Sequence, residues 1–192
     1  MKESILISAI LILIYIFLFI NRNNVIYVES TSGTKFLVHK DNLKKEKADL
    51  LGDVVEKMYI LKNHLVMNSD IFSEYKEYIK QLEVNFNQSR TIIYETEPES
   101  NLTSYSVNKG EELSICLKSK KTGKLHELNL LMYVVIHEMA HFACPEIGHG
   151  ILFKKIFKKF AEEAIKIGVY KKEHFESNPI EYCGMILSSS II

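Results

Sequence analysis

The stretch VVIHEMAHFACPEIGHGILF, Val134 to Phe153, decides how this chain folds and what chemistry it can carry. It holds three of the seven histidines, at 137, 141 and 149, with Glu138 directly after the first. On a helix, residues four apart lie on one face, so the imidazoles of His137 and His141 can converge on a single point. Leu130 and Val134 continue that face toward the N-terminus, which places the pair at least partly inside the protein. Buried imidazoles need partners, and a metal ion satisfies both at once. Glu138 is then set to hydrogen-bond a water held by the metal, not the metal itself. Pro145 ends the helix, because it lacks an N–H and its ring clashes with the preceding turn. Gly148 and Gly150 flank His149 in a turn that can return it toward the helical pair. Three histidines and one water would complete a tetrahedral zinc site of the hydrolytic type. The competing reading is a helix whose histidines are satisfied by hydrogen bonds.

The flanking segments support a packed site. From Ile151 to Ile167, residues Phe153, Ile156, Phe157, Phe160, Ala164 and Ile167 fall on one helical face, and Gly168 ends the run. Packed against the motif helix, this face would hold His149 in position. Its other side carries Lys154, Lys155, Lys158 and Lys159, but Glu162 and Glu163 lie four residues beyond the last two, so these charges pair in solvent. Upstream, Asn129 reads as the N-cap of the motif helix. Before it, TSYSV, the turn NKG and EELSICLKS read as a hairpin, with Tyr105 a candidate for a substrate-binding edge strand, and YETEPESNLT reads as a loop. Leu50, Leu51, Val54, Val55, Met58, Leu61 and Leu65 predict a helix entered at an Asp41 N-cap, with Gly52 weakening it. NSD starts a second helix carrying Ile71, Phe72, Tyr75, Ile79 and Leu82, and NVIYVES and KFLVHK flank a TSGT turn as another hairpin. The fold class is α+β, a short sheet beside the metal helix.

At 192 residues, the chain is long enough for one buried core. Its 24 basic and 24 acidic residues cancel, so no global field recommends nucleic acid as a partner. Cys116, Cys144 and Cys183 leave at least one thiol unpaired, which favours a reducing compartment, while sequons at Asn87 and Asn101 point the other way. Ser4 to Ile20 is uncharged, and Leu18, Phe19 and Ile20 run to the polar boundary without a small-residue cleavage pattern. Residues 1–23 therefore read as an uncleaved single-pass transmembrane anchor and 24–192 as the catalytic domain. Lys2 faces Arg22, Lys35 and Lys40 across that span, so the positive-inside rule leaves the side of the membrane open.

His137, Glu138 and His141, followed by GHGILF (Gly148 to Phe153), resemble the His-Glu-x-x-His … Gly-His-Gly-x-x-Phe signature of SprT-like and WLM-type zinc metallopeptidases. TSYSVNKGEELSICL, EEAIKIGVY and NPIEYCG extend the resemblance to membrane-anchored, WLM-like metallopeptidases of large DNA viruses. It covers most of the chain beyond the anchor. The resemblance implies a small gluzincin-like fold, one zinc ion on His137, His141 and His149, Glu138 as general base, a protein or peptide substrate, and a host-cell or virion membrane location. The interval from His141 to His149 is longer than in metzincins, and three cysteines cannot build a four-cysteine zinc ribbon. The alternative is a non-catalytic membrane scaffold with a stabilising zinc site. His174 and Tyr182 are candidates for stabilising the transition state, Cys144 reads as an ordinary buried cysteine, and His39, His64 and His126 are expected to be structural.

Overall fold

The computed structural model describes the backbone of residues 2–22 and 24–192 and the side chains of 6–16 and 24–192. The first helix is α1 (Lys2–Arg22), and its described side chains, Leu6 to Ile16, are all exposed. Among the described residues no helix is long and apolar enough to cross a membrane. The expected transmembrane anchor and the membrane location are thereby overturned. The side chains of Lys2, Leu18, Phe19, Ile20 and Arg22, on which that expectation also drew, lie outside the described set.

The expected α+β arrangement is present, with a mixed five-stranded sheet. β1 (Val25–Glu29) and β2 (Lys35–His39) form the first hairpin. α2 (Lys44–Met67), a 3-10 turn (Ser73–Tyr75) and α3 (Lys76–Asn85) then cross to β3 (Ile92–Glu95). β4 (Tyr105–Val107) and β5 (Glu112–Ile115) form the second hairpin, and the strand order is β1-β2-β3-β5-β4. β3 is parallel to both β2 and β5, which leaves β4 as an edge strand. α4 (Leu128–Ala143) carries the paired histidines, α5 (Ile151–Lys166) follows, and β6 (Ile180–Tyr182) pairs with β7 (Met185–Leu187) in a separate hairpin.

α4 packs on α2, α3 and α5. Leu131, Met132, Val135, Ile136, Met139, Ala140, Phe142 and Ala143 are all fully buried, so the helix is apolar around most of its circumference. Beneath it, Leu51, Val54, Met58, Leu61 and Leu65 line the buried stripe of α2. Gly52 has a purpose there: a Cβ would come within 3.2 Å of the Ser30 side chain, so glycine lets the β1–β2 turn sit against the helix.

Three local expectations are corrected. Asp41 is not the N-cap of α2, a position held by Leu43; its carboxylate accepts the Leu43 N–H at 2.9 Å and pairs with Lys47 and Lys118. NSD does not start a helix, because residues 68–72 form turns before the 3-10 segment. Asn129 is not a cap either. It lies inside α4 and reaches across to the Lys171 backbone, donating to its carbonyl at 3.0 Å and accepting its N–H at 2.8 Å. This clamp fixes the chain after α5 against the start of α4.

Candidate metal centre

The Nε2 atoms of His137, His141 and His149 form a nearly equilateral triangle with sides of 3.1, 3.1 and 3.0 Å. Tetrahedral zinc with Zn–N of about 2.0–2.1 Å separates its nitrogens by about 3.3–3.4 Å, close to these sides. Neutral imidazoles cannot satisfy such a triangle alone, since each carries one N–H and all three nitrogens face one point. A cation at that point satisfies every lone pair, so the donor set fits a bound metal. Burial and the neighbouring imidazoles push His137 down to about 3, and burial, His149 and Lys109 push His141 down to about 4. Both rings are therefore neutral at physiological pH, the protonation state that binds metal.

Phe153, on the first turn of α5, forms the floor. Its ring stacks on His141 with centroids 4.2 Å apart and meets His137 and His149 edge-on at 4.9 Å. The amphipathic face predicted for α5 is thus what holds the imidazoles from below.

Glu138 is 6 % exposed, and its Oε2 accepts a hydrogen bond from the Ser106 hydroxyl at 2.9 Å. Burial raises its carboxyl to about 7, and the Ser106 bond opposes the rise. A carboxylate so placed is poised to exchange a proton near neutral pH. The histidines and Glu138 open on a cleft of about 830 Å³, bounded by Thr103 to Ser106, the turn at 146–149, and Met185 and Leu187 of β7.

The turn bearing His149 is tied down from the β4–β5 hairpin. Lys109 Nζ donates to the carbonyls of Cys144 and Glu146, at 2.5 and 2.7 Å. Asn108, Lys109 and Gly110 all have positive φ, which aims the Lys109 side chain across to the end of α4. At Gly110 a Cβ would lie 2.8 Å from the Asn85 carbonyl and 3.2 Å from the Phe142 ring, so only glycine fits. Arg90 locks the same hairpin by donating to Asn85 Oδ1 at 2.8 Å and the Asn108 carbonyl at 2.8 Å. Sequence reasoning missed Lys109, Arg90 and Ser106. Each acts through contacts between segments distant in sequence, and none has a local motif.

Other expected positions are now located. Tyr182 lines the cleft, but its hydroxyl donates to the Cys116 carbonyl at 3.1 Å and lies 2.5 Å from Ser104 Oγ. Because Ser104 Oγ also accepts the Cys116 N–H, its own proton goes to Tyr182, and the tyrosine is a fixed wall with no donor to spare. Tyr105 borders the cleft from β4, and His174 is not among the residues lining it. Cys144 is buried and free, whereas Cys116 and Cys183 form a disulfide beside His126. His64 pairs with Glu163 at 2.8 Å, and Lys159 pairs with the same carboxylate at 2.7 Å.

An α+β body with three convergent histidines and an adjacent buried glutamate describes the class of site. The chain belongs to the family of the uncharacterized protein R325 of Acanthamoeba polyphaga mimivirus. The two are 39% identical over 188 residues, covering 97% of this chain and 94% of that protein. The uncharacterized protein 136R of Invertebrate iridescent virus 6 is 34% identical over 84 residues, covering 43% of this chain and 47% of the relative. No family model matches the chain. Among solved structures, Wss1 from Saccharomyces cerevisiae is similar over 49% of this chain and 76% of its own, at 18% identity and a TM-score of 0.39, too distant to transfer an activity.

Proposed function

We propose that this chain is a zinc-dependent metallopeptidase, with His137, His141 and His149 as ligands and Glu138 as general base. The observation that carries this reading is the triangle of Nε2 atoms with a buried carboxylate on the same helix, opening on a cleft beside an edge strand. Zinc, when bound, supplies Lewis-acid polarisation of a carbonyl and acidifies a water. Glu138 accepts a proton from the attacking water and passes it to the leaving amine, with Ser106 fixing the carboxylate during both transfers. An extended peptide adds to the free edge of β4, whose other edge already pairs with β5. Met185 and Leu187 offer apolar contacts to its side chains from the opposite wall. In a purely structural zinc site, burying Glu138 would be a cost with no return.

The 192-residue chain should purify with about one zinc per molecule. Chelation should abolish cleavage of an unfolded protein substrate, and added zinc should restore it. A properly folded chain that neither retains nor takes up zinc would end this reading.

Phe153→Leu tests the aromatic floor. The substitution keeps apolar bulk, so its stability cost should stay below about 1.5 kcal/mol. It frees the three rings from their stacking partner, and zinc affinity should fall about tenfold in a chelator competition. Unchanged affinity would mean that the floor does not orient the ligands.

A further inference from the structure

A second cluster of metal-ligating atoms lies away from the three histidines. Cys116 follows β5, Cys183 sits between β6 and β7, and His126 precedes α4. All three are buried, and their ligand atoms lie within 4.8 Å of one another. Cys183 Sγ is 3.4 Å from His126 Nε2. A tetrahedral cation bound to thiolate at about 2.3 Å and imidazole at about 2.0 Å places sulfur and nitrogen about 3.5 Å apart, matching that separation.

A disulfide needs no imidazole, yet here a ring nitrogen is aimed at the sulfur. The backbone N–H of Cys183 approaches the same Nε2 at 3.3 Å, which marks this nitrogen as the one with the lone pair. The ring packs on Tyr182, with centroids 4.9 Å apart, a contact that fixes its orientation. The Lys118 carbonyl lies 3.4 and 3.5 Å from the two sulfurs and is available as an oxygen ligand. A cavity of about 330 Å³ reaches Cys116 and Lys118, giving ions and water a path to the cluster.

The backbone at Cys183 points the same way. Tyr182 pairs with Met185, so Cys183 and Gly184 form a two-residue hairpin loop, with φ of 49° and 88°. Such a loop favours Asn, Asp or Gly at its first position. A cysteine there holds an unfavourable backbone conformation and delivers its sulfur to the cluster.

We infer that Cys116, Cys183 and His126 form a redox-gated site for one thiophilic d10 cation, closed as the disulfide and opened by reduction. Reduction breaks the S–S bond with two electrons and two protons supplied by a dithiol, which is itself oxidised to a disulfide. Cation binding then releases both thiol protons to solvent, and the sulfurs separate to about 3.8 Å around the ion. This inference is independent of the three-histidine reading.

Cobalt(II) is a suitable probe, since only sulfur ligation gives a thiolate-to-cobalt charge-transfer band. The full chain, reduced with a dithiol under anaerobic conditions, should show that band and bind about one cobalt more per molecule than the oxidised chain. The band should survive in His137→Ala, weaken in Cys183→Ser and vanish in the double variant Cys116→Ser, Cys183→Ser. Reduced wild type without the band would overturn the inference, whether or not the variants fold. So would a band that keeps its full intensity in the double variant Cys116→Ser, Cys183→Ser, because it would then arise from Cys144.

Discussion

Under the proposed metallopeptidase function, replacing Glu138 with Gln should lower peptide hydrolysis about 10²- to 10⁴-fold, the contribution of a positioned acid–base group. This corresponds to about 3–5 kcal/mol of lost transition-state stabilisation. The amide has nearly the shape of the carboxylate and can still accept the Ser106 hydroxyl, so the helix and the triangle of imidazoles stay in place. What it lacks is the capacity to take a proton from water. Zinc content should therefore match that of the wild type while kcat/KM on a peptide substrate collapses. Wild-type turnover in Glu138→Gln would remove Glu138 from the mechanism, and loss of zinc would reassign it to holding the metal.

Lys47→Ala should lower global stability by about 3–5 kcal/mol, through a defect far from the cleft. The Lys47 side chain is 1% exposed and its ammonium lies 2.8 Å from both Asp41 and Glu95. Glu95 is 4% exposed and also accepts the His39 N–H at 2.6 Å, so removing Lys47 strands a buried carboxylate in the sheet. Urea unfolding reads the loss directly. The double variant Lys47→Met, Glu95→Leu should recover part of it, since an apolar pair carries no stranded charge but leaves the His39 N–H without its acceptor.

Acid sensitivity offers a second readout of the same cluster. Burial pushes the Asp41 carboxyl upward, but Lys47, Lys118 and the Leu43 N–H outweigh it and hold the group at about 2. Because the folded value lies below the unfolded one, near 4, its contribution is complete above about pH 4 and lost as pH falls through about 2. In Lys47→Ala the midpoint of acid unfolding should move to higher pH. An unchanged midpoint would show that the cluster has no part in acid stability.

The sequence revealed the site through two local regularities, the helical spacing of His137 and His141 and the glycines around His149. It also revealed α2 and α5, whose apolar positions repeat at helical intervals. β3 was hidden, because IIYE is short and flanked by polar residues, and its neighbours in the sheet come from distant segments. The caps at Asp41 and Asn129 were misassigned because Asp41 lies one turn ahead of α2, where it accepts the Leu43 N–H and pairs with Lys47 and Lys118, and Asn129 spends its amide on the Lys171 backbone. The apolar N-terminal run supported an anchor by composition, yet the helices among the described residues do not meet the length and apolarity that a span requires. Ser106 and Lys109 could not be read in advance, since what they contact is decided by where β4 and the following turn meet α4.

The interleaved strand order also sets when the cleft can exist. β3 sits between β2 and β5, with Leu37 opposite Tyr94, so the middle of the sheet closes only after a long crossover has been made. Such nonlocal pairing is slow, because loop closure precedes the contacts that reward it. The third histidine emerges from the ribosome after both hairpins of the sheet, and the Met185–Leu187 wall later still. A chain made only through α5 lacks the Met185–Leu187 wall, so the cleft is bounded on that side only once β7 has been made.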